Sequence, residues 1–179
     1  MPVERASQLV GETLIFCFLF ALITGGFLAY HFVPGDDVVI YDGSYTPLQG
    51  VQMSQAYESA LRIGLDVDGG MLLRQLHHKS LYVLILGVVI WVLLARHRYA
   101  IISLGLCVVG GVTGYASVDD LLSRYIPGTT WIYVLHLLVA LGMAAALVKA
   151  SRLEAATQPR TVGLVFLAGC IAFVTIYWL

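Results

Sequence analysis

Two histidines, His77 and His136, each stand about six residues inside a long apolar run, and both runs enter the membrane from the same side. At 1.5 Å rise per residue the two lie about 9 Å below one boundary. An imidazole placed at membrane depth is costly, so a pair at one level calls for a ligand. A neutral imidazole nitrogen is a good axial donor to a metal. His78 follows His77 directly, about 100° further round the helix, so only one of them faces inward. The face of His77 continues through Ser80, Leu84, Gly87 and Trp91, whereas that of His78 continues through Leu81, Ile85 and Val89. Small residues mark helix contacts in membranes and aliphatic faces meet lipid, which predicts His77 as the inward one. The plainer reading is two interfacial histidines bonded to headgroups or backbone. His136, in WIYVLHLLVALGMAAAL, has no polar neighbour and gains its significance from the pairing.

Other residues gather around this level. Arg74 lies one turn outward of His77. Its spacing fits both snorkelling to the interface and pairing with an anionic carboxylate, for which a guanidinium offers a fork of donors. Gly25, in TGGFLAY, and Gly114, in GVTGY, fall toward the same outer half. They allow close backbone approach to a flat ligand, or ordinary small-residue packing. Glu12, near the opposite end of the first run, is expected to snorkel as a carboxylate, with a quinone or proton path as the alternative. His31 is expected to cap its helix at the headgroups, and His97 to be solvated.

The elements that position these residues follow from composition. Of 179 residues, 59% are hydrophobic and 12% charged. A soluble domain is nearer 45–50% apolar and about 25% charged, so the chain reads as an integral membrane protein. A net charge of −1 offers no basic patch for nucleic acid. Five runs approach the length of about 20 residues that spans a bilayer: Leu9 to Val33, Met71 to Ala95, Tyr99 to Ser117, Thr130 to Ala150 and Val162 to Leu179. The first run is too long for a signal-peptide core and lacks a cleavage pattern, so it is expected to be retained. Cys17, Cys107 and Cys170 fall inside apolar runs as packing residues, with no CxxCH and no CxxC. Cationic residues Arg5, Arg96, Arg98, Lys149, Arg152 and Arg160 collect on one side. Acidic residues Asp36, Asp37, Asp42, Glu58, Asp66, Asp68, Asp119 and Asp120 collect on the other. Positive charge stays inside, which predicts a cytoplasmic N-terminus and an external C-terminus, as in a bacterial inner membrane or its equivalent.

The stretch AYESALRIGLDVDGGMLLRQLHH, from Ala56, resembles the loop entering the second helix of cytochrome b from bc-type quinol oxidoreductases. ITGGFLAYHFVP and GGVTGY are similar to that family's first and third helices, and His136 stands where the fourth helix supplies a histidine. The likeness covers about residues 11–152 and resembles the N-terminal four-helix half that is a separate subunit in chloroplast-type complexes. It implies an all-α membrane bundle with a cytochrome b N-terminal-like haem-binding domain over 1–152; the additional C-terminal transmembrane helix in 153–179, read from its apolar run, has no counterpart in the resemblance. The family carries two stacked b haems, each held by one histidine from the second helix and one from the fourth. Carried over, His77 and His136 are the axial ligands of the outer haem, Gly25 and Gly114 admit it, and Arg74 pairs with a propionate.

The departures are informative. Fourteen residues beyond each histidine, where the family places the inner ligands, stand Trp91 and Ala150, and Ala100 replaces an inner glycine whose partner Gly11 is kept. One haem b is therefore expected, with Trp91 filling vacated space. Ile132 replaces a second propionate arginine, and the family's quinol-oxidation motif is missing. The resemblance implies an electron-transfer subunit of a respiratory or photosynthetic membrane complex rather than a complete enzyme. Its expected partners are other subunits, a c-type cytochrome or iron–sulfur protein among them, and a quinone. The rival readings are a haem-free assembly subunit and a transporter. Scarce midplane polar residues and the lack of a discontinuous helix pair speak against the transporter.

Overall fold

The computed structural model describes residues 2–94, 98–120 and 128–178. Ala95, Arg96, His97 and Leu179, which figure in the span and charge expectations above, lie outside these described residues. Among the described residues, six α-helices can be delimited: α1 (Pro2–His31), α2 (Gln55–Leu65), α3 (Gly70–Leu94), α4 (Arg98–Ala116), α5 (Thr129–Thr157) and α6 (Val162–Trp178). Four of them, α1, α3, α4 and α5, are long and apolar enough to cross a membrane. With 17 residues, α6 is shorter. At 1.5 Å per residue it still reaches about 25 Å.

Large apolar side chains are exposed on every long helix, among them Ile23, Leu86, Val112 and Leu138. Helices that are hydrophobic on all faces belong in lipid or in the core of a much larger protein. With the composition, this makes the chain an integral membrane protein.

Helix α1 packs on α3, α3 on α4, α4 on α5 and α5 on α1, closing a four-helix ring in which α3 and α5 are diagonal. Outside the ring, α6 lies against α1 and α3. Buried contacts combine large residues (Leu14, Val88, Trp91, Leu147) with small ones such as Ser80, Ala100, Ser103, Ala150 and Ala172. That mixture lets backbones approach closely where lipid offers no hydrophobic drive. Helices α1 and α5 overrun the expected spans, starting at Pro2 rather than Leu9 and ending at Thr157 rather than Ala150. Their polar extensions hold each other: Gln8 Nε2 donates to the Gln158 carbonyl at 2.6 Å, and Arg5 to the Pro159 carbonyl at 3.1 Å.

The long connection between α1 and α3 is folded, which apolar runs do not reveal. Strands β1 (Val38–Ile40) and β2 (Gln52–Ser54) pair antiparallel, with a short 3-10 turn over Thr46–Leu48 between them. Ser54 then caps α2 by accepting from the Tyr57 N–H at 3.3 Å. Residues Ala56, Ser59, Ala60 and Ile63, one helical stripe, are buried beneath it. At Gly70 a Cβ would stand 1.7 Å from the Ile63 carbonyl oxygen, so the passage from α2 into α3 admits only glycine. The loop is pinned to both halves of the ring. Ser59 Oγ accepts from the Val33 N–H at 2.8 Å. Asp120 accepts from the Ser54 N–H at 2.7 Å.

Candidate functional site

His77 on α3 stands against Gly25 of α1, and His136 on α5 stands against Gly114 of α4. The two helix pairs present their histidines alike. His77 Nδ1 lies 3.0 Å from the Ala21 carbonyl oxygen, four residues before Gly25, and 3.2 Å from Oγ1 of Thr24, the residue before it. His136 Nδ1 lies 3.0 Å from the Gly110 carbonyl oxygen, four residues before Gly114, and 3.5 Å from Oγ1 of Thr113. Each threonine hydroxyl donates to its own helix, Thr24 to the Phe20 carbonyl at 2.7 Å and Thr113 to the Val109 carbonyl at 2.8 Å. Each therefore accepts from the ring. A carbonyl oxygen only accepts, so Nδ1 carries the proton in both rings and Nε2 keeps its lone pair. Neither Nε2 has a hydrogen-bond partner among the described residues.

The rings are close enough to share one ligand. Their centres are 6.3 Å apart and their planes cross at 71°. A metal–imidazole nitrogen bond of about 2 Å, with the ring centre about 1 Å further back, places two opposed ring centres about 6 Å apart. Among the described residues no third histidine, cysteine or carboxylate completes a metal-binding group here. Two imidazoles and no more suit a metal that brings its other donors with it, as haem iron does. The glycines form part of the cradle. A Cβ at Gly25 would stand 2.9 Å from Cε1 of His77, and one at Gly114 would stand 2.9 Å from Cε1 of His136. The sequence suggested room for a flat ligand; the residues that meet these glycines are the imidazoles themselves.

Around the pair, His78 is exposed, as its aliphatic face predicts. Arg74 donates through Nη1 to the Ala60 carbonyl at 3.2 Å, which ties α3 to α2. The start of α5 is capped from the first loop: Asp36 accepts from the Gly128 N–H at 2.7 Å and from the Thr129 N–H at 3.1 Å. Contact with the Thr129 side chain, followed by these backbone donors, holds the Asp36 carboxyl below its ordinary value. Composition gave no sign of this cap or of the threonines, although TG recurs in both glycine motifs and was the available signal.

Two expectations need correction. Glu12 does not snorkel. It is buried, accepts from Ser151 Oγ at 2.7 Å and pairs with Arg160 Nε at 2.6 Å. The cation that enters from the α5–α6 connection removes the need to reach water. Cys170 is exposed on α6, whereas Cys17 and Cys107 are buried as expected; α6 packs on the ring along one face only.

The fold is a membrane helix bundle that brings His77 and His136 together, and the sequence comparisons bear on its family. The chain is 39% identical over 129 residues to the cytochrome bc1 complex cytochrome b subunit of Corynebacterium diphtheriae, covering 65% of this chain and 24% of that protein. Identity to the same subunit of Streptomyces coelicolor is 36% over 132 residues, covering 67% of this chain and 24% of that protein. For Mycobacterium tuberculosis it is 39% over 131 residues, or 65% and 24%. The chain is a homologue of these cytochrome b subunits, consistent with their N-terminal half. It spans about a quarter of the length of the curated relatives it matches. No protein-family model matches it.

Proposed function

We propose that the chain is a single-haem, cytochrome b-like electron-transfer subunit of a membrane redox complex. The observation that carries this reading is the pair of neighbouring rings, His77 and His136, with centres 6.3 Å apart and both Nδ1 atoms committed to carbonyls. His77 and His136 would hold a haem iron through Nε2. Gly25 and Gly114 leave the rings their place, and Arg74 offers the donors not spent on Ala60 to a propionate. A bis-histidine haem, when bound, supplies one-electron transfer with no open position for oxygen. The protein's own part is to orient the rings, fix their tautomers and keep water from the site.

Orientation follows from charge. Arg5, Arg98, Lys149, Arg152 and Arg160 sit at the end remote from the histidines, and the acidic loops cover the histidine end. Positive charge inside places the histidine end outside, with α6 as a fifth, short span and the C-terminus external. The acidic outer face and α6 are offered to neighbouring subunits, including a c-type cytochrome or iron–sulfur protein, and a quinone is the expected small redox partner. Haem content per purified chain tests the reading. A ratio of one, with a b-type difference spectrum, is expected. A ratio of two contradicts the single site, and a chain with no b-type signal is a structural subunit instead.

A further inference from the structure

The arrangement at the histidine end is repeated fourteen residues deeper with different chemistry. Gly11 lies on α1 fourteen residues before Gly25, and Trp91 lies on α3 fourteen residues after His77. A Cβ at Gly11 would stand 3.2 Å from the Trp91 indole, as one at Gly25 would crowd His77. The same glycine-against-ring crossing thus occurs at two levels, about 21 Å apart along the helix. At the second level Trp91 is fully buried, with Ala100 and Ala150 also at 0% exposure. Trp91 Nε1 donates to Glu154 Oε1 on α5 at 3.3 Å. The same oxygen accepts from Ser7 Oγ of α1 at 2.7 Å. The other carboxylate oxygen lies 2.9 Å from where a Gly11 Cβ would be. Helices α3 and α5 are diagonal in the ring, so a bond between their side chains crosses the centre of the bundle.

We infer that Trp91, Glu154 and Ser7 form a polar plug that bridges α3, α5 and α1 where the histidine end uses a metal, and that this plug confines electron exchange to the histidine end. The confinement rests on the single-haem reading; the bridge does not. An indole N–H has no lone pair to give a metal and its ring fills the slot. A charge-assisted hydrogen bond to this half-buried carboxylate is strong enough to help hold two helices without a cofactor. Electron tunnelling falls steeply with distance, and among the described residues no histidine stands at the tryptophan level to hold a second haem. Donor and acceptor must both approach from the acidic end.

Two measurements on the full chain decide this. In the first, W91F removes the N–H while keeping an aromatic ring, and E154Q removes the charge. Each is expected to speed SDS-induced unfolding about tenfold, with the W91F/E154Q double variant faster than W91F alone, because Glu154 also holds Ser7, but by clearly less than the product of the two effects. S7A supplies a second route should W91F fail to fold. Additive effects overturn the bridge. In the second, the reduced chain is placed in vesicles of known sidedness and ferricyanide is supplied on one side at a time. Reoxidation is expected from the histidine end and undetectable from the tryptophan end. Comparable rates from both sides overturn the confinement. A chain that binds no haem overturns the carrier reading and the confinement together, while the unfolding cycle still decides the bridge.

Discussion

Substituting Gly114 is the sharpest way to perturb the proposed site without touching a ligand. A Cβ there would stand 2.9 Å from Cε1 and 3.1 Å from Nδ1 of His136, where ordinary contact begins at 3.4 Å. Relief by ring movement alone requires His136 to withdraw by about 0.5 Å, the difference between 3.4 and 2.9 Å. Metal–ligand distances tolerate only about 0.2 Å of error. The ring is also held from behind by the Gly110 carbonyl at 3.0 Å, on the same helix as the offending Cβ. Overpacking of this kind costs about 1–3 kcal/mol, and each 1.4 kcal/mol is a factor of about ten. G114A should therefore weaken haem retention several-fold to a hundredfold, and G114V should abolish it. G25A and G25V act on His77 in the same way, since that Cβ would also stand 2.9 Å from Cε1. Gly26 and Gly105 are matched controls, each on an apolar helix with nothing within 4 Å of a built Cβ. Helical Gly→Ala is otherwise favourable by up to about 1 kcal/mol, so G26A and G105A should express well and keep full haem. The assay is haem per chain after detergent purification. Full haem retention in G25V and G114V would refute the idea that these glycines serve the imidazoles.

T24V and T113V remove the hydroxyls that share the Nδ1 protons while leaving the carbonyl bonds. Each should lower haem affinity about tenfold and raise the reduction potential, because a less polarised imidazole donates less to ferric iron; T24S should restore both. H78A should leave the difference spectrum unchanged, since His78 faces outward; loss of signal there would reassign the ligand. D36A removes the cap on α5 and should cost about 1 kcal/mol of stability, read as a lower unfolding midpoint. The Asp36 carboxyl is held below its ordinary value by the Thr129 side chain and the cap donors. Its contribution is therefore fully present above the unfolded value and lost as pH falls through the folded one. D36N should flatten that acid-side loss, and an unchanged acid profile contradicts the role of the cap.

The inward-facing histidine was readable where helical faces decide matters. His77 was separable from His78 because Ser80, Leu84 and Trp91 continue its stripe, and all three are buried. The long spans were readable because lipid demands uninterrupted apolar length. Their ends were not, because Ser7, Gln8 and Glu154 extend helices with polar side chains that find partners across the bundle. Hydropathy scores those partners as exposed loop. The hairpin and α2 were missed for a related reason: three-residue strands and an 11-residue helix fall below any span-length search. Glu12 was misread because its cation, Arg160, is 148 residues away and only the folded chain brings the two together.

Electron paramagnetic resonance of the oxidised, purified chain examines the iron's axial ligands most directly. A single low-spin ferric signal with strong anisotropy is expected, because the two imidazole planes cross at 71° rather than lie parallel. That signal should vanish or turn high-spin in both H77A and H136A. A wild-type spectrum that is high-spin, or a low-spin signal that survives either substitution, contradicts the two-histidine clamp.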